Sequence, residues 1–354
     1  MVTIFTTTDN VNTICHDNSK EPWLNMIMKL GEVFIDSPMD IPMEMEDPIF
    51  ILDQADIKFH CNKAEYIKSI PENPDKVLEE PCGIFLLDIP EDSANSIQTR
   101  FGVICQSCSK MDHDVLTHKG TTVEVVEDEY GKNWDEVFKK FKSTPSNSAI
   151  IIDAHLFEND SFDEANGSYD ESRSYGRDNL LTILNNILPD NFDGVYHVAV
   201  LLTDTDEAKK ERRSRTTLTN ARIVSAINKA KSKRLSRPYE ICIEVHFFSQ
   251  HEGFHKIIHN RRILSNYFVL DAQYKLAAFD KSGKGRAGQT ISIHPLFELI
   301  HIDPESDMKE RRLRYDLDDI YGYVESKCKY NSGGFYRNGR FFDSFYNVQH
   351  RLMI

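Results

Sequence analysis

The sequence predicts an α/β protein with a mixed sheet flanked by helices, and the signal is strongest after residue 147. Continuous apolar runs at 148–157, 196–206 and 239–249 have the length and composition of buried strands. An amphipathic helix at 179–188 separates the first two runs, and a long basic helix that reaches about residue 234 separates the second from the third. Strands that alternate with helices in this way are typical of an α/β layer.

The first 147 residues predict a separate, acidic α+β region. Short apolar runs alternate there with proline, aspartate and asparagine, two strands flank a helical connection over 82–107, and a helix begins at Asn133. The best boundary signal is the polar segment STPSNS at 143–148. We therefore expect an N-terminal region at 1–147, which a diverged half of the later fold would also explain, a second domain at 148–300, and a helical, aromatic tail at 301–354.

Length and composition place the chain among globular proteins. With 354 residues, 40% of them hydrophobic, it can bury a sizeable core. No stretch approaches the roughly 18 apolar residues of a membrane helix, and the first residues lack the pattern of a signal peptide, so we expect a cytoplasmic protein without a membrane span. Seven cysteines without a disulfide-like spacing indicate reduced thiols.

The net charge of -14 hides an uneven distribution along the chain. Residues 1–100 carry 19 acidic and 7 basic side chains, whereas residues 209–237 carry 11 basic side chains and one acidic. This basic block would bind a phosphate backbone, but it would equally pair with the acidic half of this chain or of a second copy, or form a solvated helix face. The candidate phosphate contacts, which include one arginine beyond the block, are Arg212, Arg213, Arg215, Arg222, Lys229, Lys233 and Arg262.

The segment HKIIHNRRILSNYF, residues 255–268, concentrates the polar chemistry. His259 and Arg261 are two residues apart, so on a strand both side chains project from one face and can meet one phosphate. A neutral imidazole can attack phosphorus while the adjacent cation stabilises the phosphoryl oxygens. The alternative is an edge strand with charged residues on its exposed face. Asn266, seven residues after His259, falls on the opposite face unless the backbone turns between them.

The spacing His259-x-Arg261-x4-Asn266 resembles the H-x-K-x4-D signature of the phospholipase-D superfamily, and the order of strands and helices over about 148–300 is similar as well. The segment is most similar to the phospholipase-D-like domain at the C-terminus of certain MIT-domain proteins, which has a His-x-Arg with a later asparagine and is regarded as a binding domain. The resemblance implies a phospholipase-D-like mixed sheet over 148–300, with these three residues in its site and with no cofactor or metal.

The chain departs from the hydrolytic members of that superfamily. Arg261 replaces the lysine, Asn266 replaces an acidic partner of the histidine, and YFVLDAQYKLAAFDK lacks the glycine–serine pair that follows in those members. Their double-displacement mechanism also needs two histidines, and the chain has a single motif. Catalysis would therefore require a symmetric homodimer or a diverged N-terminal half that supplies the second histidine.

Further candidates lie outside the motif. Asp153 and His155 end the first buried strand and would face the same cleft, although a loop-starting aspartate and a half-buried histidine explain them equally. The ligand spacing of a zinc knuckle, with an ordinary strand and loop as the alternative, occurs at Cys105, Cys108, His113 and His118. The basic loop near residues 281–286 would add positive potential to the face of the motif.

These observations lead to three hypotheses. The first is binding of nucleic acid or another phosphodiester by a degenerate phospholipase-D-like domain, with a role in a prokaryotic defence or mobile-element system as a fold-level expectation. The second is a metal-independent phosphodiesterase or nuclease in which His259 of a dimer is the nucleophile. The third is a protein-interaction subunit that uses the fold and its charge polarity for assembly.

Overall fold

The computed structural model describes residues 2–111, 119–206, 218–248, 261–302, 311–313, 322, 324–326, 328–329 and 333–353. The chain divides into two compact units that interleave along the sequence. Unit 1 comprises Met1–Lys119, Thr144–Asn147 and Pro295–Asp318, and unit 2 comprises Gly120–Ser143, Ser148–His294 and Asp319–Ile354. Within the described ranges, every helix is too short or too polar to cross a membrane.

Unit 1 contains a five-stranded sheet in which all neighbouring strands are parallel. Its strands are β1 (Thr3–Thr6), β2 (Glu32–Ile35), β3 (Lys58–His60), β4 (Gly83–Leu87) and β5 (Ile104–Ser107). Their spatial order is β3-β2-β1-β4-β5. The chain thus builds outward from β1 to one edge, returns to β4 beside β1, and builds outward to the other edge, as in doubly wound folds.

Helices separate the strands of unit 1. They are α1 (Thr8–His16), α2 (Glu21–Leu30), α3 (Pro48–Gln54), α4 (Ala64–Ser69) and α5 (Glu91–Phe101). Phe5, Phe85 and Cys105 share one register across β1, β4 and β5, and they pack with α4 and α5 in one hydrophobic cluster. Side chains alternate along a strand, so the residues one position further on these strands point to the other face of the sheet.

This arrangement corrects the prediction of an α+β region at 1–147, because strands and helices alternate and the sheet is parallel. The apolar run WLNMIMKL shows why the sequence was ambiguous, since a run of this length fits a buried strand or a helix. It forms α2, with Pro22 in the first turn and Gly31 at the C-terminal cap in the left-handed conformation at φ 77°. Proline at the start and glycine at the end are favourable for a helix.

Unit 2 is built on a nine-stranded mixed sheet, so the prediction of an α/β protein with a mixed sheet and flanking helices is confirmed. The spatial order is β18-β17-β11-β10-β7-β12-β13-β14-β6. The strands are β6 (Thr121–Val125), β7 (Ser148–Ile152), β10 (Val195–Thr203), β11 (Glu240–Phe248), β12 (Arg261–Ser265), β13 (Phe268–Ala272), β14 (Gln289–Pro295), β17 (Phe335–Arg337) and β18 (Arg340–Phe342). Two separate hairpins pair β8 (Phe162–Asp163) with β9 (Ser168–Tyr169), and β15 (Ile300–Ile302) with β16 (Arg311–Leu313).

Unit 2 contains the helices α6 (Trp134–Phe138), α7 (Tyr175–Ile187) and α8 (Asn220–Arg234), and residues 205–206 and the described residues within 322–329 are helical as well. The apolar side chains Ile223, Val224 and Ile227 of α8 are buried. β10 runs parallel to both β7 and β11, whereas β12 runs antiparallel to β7. β12 lies between β7 and β13, so it is an interior strand and the edge-strand interpretation is wrong.

The polar segment 158–178 contains the β8–β9 hairpin and a buried hydrogen-bond cluster. The Asp160 carboxylate accepts hydrogen bonds from the N–H groups of Gly176 at 2.7 Å and Arg177 at 3.0 Å, and from the Tyr169 hydroxyl. The first amides of a helix have no partner within the helix, so Asp160 satisfies two of them at the start of α7.

The structural units depart from the predicted boundaries in two places. Gly120–Ser143 belongs to unit 2, because β6 pairs with β14, and Pro295–Asp318 belongs to unit 1. The aromatic end, predicted as part of a helical tail, contributes β17 and β18, and β17 pairs with β11 in the large sheet. The tail is therefore helical at the described residues within 322–329, and its aromatic end forms a hairpin.

Candidate functional site

The carboxyl ends of β7, β10 and β11 form one edge of the unit 2 sheet, and two of the predicted site residues meet there. Asp153 follows the last residue of β7, and Arg261 opens β12, which begins at the same edge because it runs antiparallel to β7. The Nε atom of Arg261 lies 4.0 Å from Oδ1 of Asp153. Ligands gather outside the carboxyl ends of parallel strands, so the pair occupies a position at which sites form in such sheets.

Asp153 is buried and hydrogen-bonded to backbone on two sides. Its Oδ1 accepts from the N–H of His155 at 2.9 Å, and its Oδ2 accepts from the N–H of Leu276 at 2.9 Å. Burial raises the pKa of the Asp153 carboxyl, while the two backbone hydrogen bonds and the charge of Arg261 act in the opposite direction. His155 is half-buried beside it. Asp153 therefore connects the end of β7 to two other segments. It binds the backbone at Leu276, which follows β13, and it lies beside the Arg261 guanidinium at the start of β12.

A second cation, Lys275, lies beside this carboxyl, and Arg286 lies near Lys275. Lys275 precedes Leu276, and its pKa is lowered by burial and then by the positive charge of Arg286, so the two cations are neighbours. The guanidinium carbon of Arg286 lies 3.5 Å from the ring centroid of Tyr175. Its Nη1 is buried and has no hydrogen-bond partner in the described part of the chain, and burial lowers the pKa of its guanidinium.

The three cations of the basic loop 281–286 all lie near carboxylates. Lys281 pairs with Glu171, Lys284 pairs with Asp128, and Asp160 and Asp280 lie near Arg286. The expectation that the loop adds positive potential to the face of the motif stays a prediction. Lys275 was not among the predicted site residues, because nothing in the local sequence places residue 275 beside residue 153. The two positions come together only in the folded chain, where the Leu276 N–H donates to Asp153.

Asn266 lies at the other end of β12 and does not meet Arg261. Its Oδ1 accepts from the backbone N–H of Ser148 at 3.1 Å, and its Nδ2 donates to the Ser148 Oγ at 3.1 Å. Ser148 begins β7, whereas Arg261 is beside the residue that follows β7. Five residues of strand separate Arg261 from Asn266, which corresponds to roughly 16 Å. Asn266 therefore joins two strands within the sheet and is not part of the edge with Arg261.

Two of the predicted phosphate contacts are engaged within the protein. Arg262, which points to the opposite face from Arg261, is buried and pairs with Asp271 across β12 and β13. Arg222 of α8 donates from Nη2 to Glu164 at 3.0 Å and stacks on Phe162 with 3.9 Å between the guanidinium carbon and the ring centroid. Each guanidinium thus has an internal counter-charge that an external phosphate would have to replace.

Lys229 and Lys233 are exposed on α8 and keep the positive face that the sequence predicts. The other residues predicted for phosphate contact on this block, Arg212, Arg213 and Arg215, lie outside the described residues, as does the nucleophile candidate His259. Their roles stay predictions. Arg261 remains the described member of the motif that faces the polar edge.

The zinc candidates of unit 1 are two thiols and two histidines, of which the structure describes the thiols. Cys105 is buried in the core, and the Sγ of Cys108 contacts the Nδ2 of Asn10. Burial raises the pKa of Cys105 to about 12 and that of Cys108 to about 11. Zinc binds thiolates, so binding would have to displace both protons.

His113 and His118 lie outside the described residues, and the zinc site stays a prediction. Across the ranges that the structure does describe, no three histidine, cysteine, aspartate or glutamate side chains are grouped closely enough to hold a metal ion.

No protein-family model matches this chain, and comparison with curated proteins gives no match. Function therefore has to be argued from the geometry and charge of the two units.

Proposed function

We propose that unit 2 binds a phosphodiester ligand, with nucleic acid as the ligand class, at the sheet edge formed by Asp153, Arg261, Lys275 and Arg286. The observation that carries the proposal is that Arg261 lies 4.0 Å from the buried Asp153, whose other carboxylate oxygen binds the N–H of the residue after Lys275. Burial raises the pKa of Asp153, which weakens this carboxyl as a counter-charge for the cations beside it.

The donors at this edge suit a phosphate group. A guanidinium offers a planar set of N–H groups that matches two phosphate oxygens, and Arg261 and Arg286 both lie near Asp153 or its neighbours. The buried Nη1 of Arg286 has no acceptor in the described chain. A phosphate oxygen would supply that acceptor and would offset the mutual repulsion of Lys275 and Arg286. The exposed lysines of α8 would extend the positive surface along a longer backbone.

The experiment measures binding of a fluorescently labelled single-stranded oligonucleotide by anisotropy at several salt concentrations. We expect affinity to fall steeply with salt, and Arg261→Gln to weaken binding about tenfold and to reduce the log–log salt slope by about 0.7, because one phosphate contact is lost. Arg340→Gln is the matched control, since Arg340 is an exposed arginine on β18, the outermost strand of the same sheet. Binding without salt dependence, or equal losses in both variants, would refute the proposal.

The same oligonucleotide separates the two alternatives. Cleavage that requires neither added metal nor cofactor, and that disappears in His259→Ala, would establish the nuclease hypothesis. Absence of binding together with a stable complex with another protein would favour the assembly hypothesis.

A further inference from the structure

Unit 1 exposes large apolar side chains in one short segment, residues 40–51, which we call the methionine surface. Met43 is 95% exposed and Met45 is 81% exposed, and Ile41 and Ile51 are about half exposed. Five other large hydrophobic side chains of the described residues are exposed, and they are spread over residues 126–346. Single exposed apolar residues are common, whereas an exposed apolar patch typically marks an interaction site. The concentration in one segment therefore calls for a functional explanation.

The methionines lie at a turn that the backbone closes. The N–H of Asp47 donates to the Glu44 carbonyl at 3.0 Å, so Met45 lies inside this turn. The Asp47 carboxylate then caps α3, since it accepts from the N–H of Ile49 at 2.8 Å. The fold therefore places Met45 immediately before the first turn of α3, with Met43 two residues earlier.

The helix α3 buries one side and leaves an apolar residue on the other. Ile49 and Leu52 are buried, whereas Ile51 between them is exposed. Ile51 follows Ile49 by two residues, which is roughly 200° around the helix axis. The outward side of a surface helix ordinarily carries polar side chains. Ile51 therefore adds a β-branched, stiff apolar group close to two flexible ones.

Methionine suits a surface that adapts to the side chains of a partner. Its side chain is unbranched and has three rotatable bonds and a polarisable sulfur, so it packs against apolar groups of different shapes. Methionine is also enriched in protein interfaces relative to the rest of the surface. Covering Met43 and Met45 would remove their apolar area from water, which stabilises a complex.

The charges around the methionine surface select the sign of the partner. Between Lys29 and Lys58 the sequence has eight aspartates and glutamates and no lysine or arginine. Asp40, Glu44 and Glu46 are exposed, and they lie next to or between the exposed apolar residues in the chain. This negative charge repels nucleic acid and anionic lipid and attracts cations. A fitting partner therefore combines positive charge with apolar side chains.

We propose that the methionine surface binds a basic amphipathic helix of a partner protein. Its exposed apolar side chains would cover the apolar side of that helix, and its carboxylates would pair with the lysines or arginines beside it. The basic helix of this chain, α8, does not offer such a side to a second copy, because Ile223, Val224 and Ile227 are buried in unit 2. The interaction is separate from the phosphodiester site of unit 2.

Fluorescence anisotropy of labelled model peptides with the full chain tests the proposal. The probe is a peptide of leucine and lysine in an order that gives a helix one apolar side. Its two comparisons are a peptide of the same composition in an order without a continuous apolar side, and a leucine–glutamate peptide in the original order. We expect micromolar binding of the probe that weakens with salt, at least tenfold weaker binding of the reordered peptide, and no binding of the leucine–glutamate peptide.

Combined Met43→Ser and Met45→Ser substitutions test the apolar contribution without a change of charge. We expect this double variant to bind the probe at least tenfold more weakly and to melt as the wild type does, because both side chains are exposed. Tyr346→Ser is the matched control, since it removes a 94% exposed apolar side chain from unit 2, and it should leave the affinity unchanged.

Three results would overturn the proposal. The first is unchanged affinity of the double variant, and the second is equal binding of the probe and the reordered peptide. The third comes from sedimentation velocity without peptide: a dimer of the wild type that the double variant abolishes would assign the methionine surface to a contact between two copies of this chain.

Discussion

At the scale of single residues, His350 shows how unit 2 holds an ionisable group in its neutral form. It is 1% exposed, its Nε2 lies 2.9 Å from the Ala149 carbonyl, and its Nδ1 accepts from the N–H of Leu352 at 3.2 Å. An Nε2–H that donates and an Nδ1 that accepts together define the neutral imidazole. Burial is the main reason why the pKa of His350 is lowered to about 4.

This arrangement predicts a loss of stability in acid. Because the folded-state pKa lies below the usual histidine value of 6.5, the contribution of His350 is complete above pH 6.5 and is lost as the pH falls toward 4. The loss at pH 4 is on the order of 3 kcal/mol. We expect urea unfolding of His350→Gln to show a correspondingly smaller drop between pH 7 and pH 4 than the wild type. An identical drop in both proteins would contradict this assignment.

The pKa of a nearby histidine, His246, is raised rather than lowered, so its effect on stability appears in a different pH range. Burial alone would lower the pKa of His246, but Cys328 and Glu244 outweigh it and raise the pKa to about 9. Its contribution is complete below pH 6.5 and is lost as the pH rises through 9. Below pH 6.5 it adds no slope of its own, so it does not offset the acid-side loss that the comparison with His350→Gln isolates.

At the scale of elements, the end of α5 depends on a glycine. Gly102 has φ +60°, and a Cβ at this position would lie 2.1 Å from the Ser146 carbonyl oxygen. Gly167 also has φ +60°, but a Cβ there would meet nothing within 4 Å. An alanine at either position would have to adopt the left-handed backbone conformation. Only at Gly102 would its Cβ also clash with a backbone atom.

We therefore expect Gly102→Ala to destabilise the protein clearly more than Gly167→Ala. The left-handed conformation alone costs about 1 kcal/mol for alanine, and the clash adds to it because the Ser146 backbone cannot rotate away as a side chain could. Thermal melts of the two variants followed by circular dichroism give the comparison. Equal shifts in melting temperature would show that the segment at 144–147 moves freely away from α5.

Sequence patterns predicted the strands that are long continuous apolar runs, and they missed short helices. The buried runs that became β7, β10 and β11 were predicted because continuous apolar stretches bounded by polar residues have few other interpretations. The helices α1 and α3 were missed, because each depends on caps such as Thr7 and Asp47 as much as on apolar periodicity.

The part of the candidate site that depends only on the ends of strands could be predicted from the sequence. Asp153 and Arg261 were both predicted, and they meet because β12 runs antiparallel beside β7 and so begins at the carboxyl end of β7. The distant position of Asn266 follows from the length of β12, which separates it from Arg261. The nearby position of Lys275 follows from contacts between segments far apart in sequence, and local residue spacing does not reveal it.

At the scale of the whole molecule, each unit has one buried tryptophan in its own core. Trp23 lies in α2 of unit 1 and Trp134 in α6 of unit 2, where its Nε1 donates to the Asn179 Oδ1 at 2.7 Å. The chain contains no other tryptophan. The pair allows each unit to be destabilised in turn within the intact chain.

We expect Trp134→Ala to cost about 3–5 kcal/mol and to accelerate hydrogen exchange in β6, β7 and β10 more than in β4 and β5. Trp23→Ala should give the reverse pattern, since cooperative units of a fold exchange together. Mass spectrometry of peptides from both variants measures this. Exchange of β6 together with β4 and β5 would contradict the assignment of residues 120–143 to unit 2.

The interleaving of the two units has a consequence for biosynthesis. Unit 1 lacks Pro295–Asp318, and unit 2 lacks Asp319–Ile354, until most of the chain has left the ribosome. Until β17 emerges, the side of β11 that it later covers is an open strand edge, which is a site of mispairing between nascent chains. Translation speed over the last 60 residues should therefore influence the yield of native protein more than speed earlier in the message.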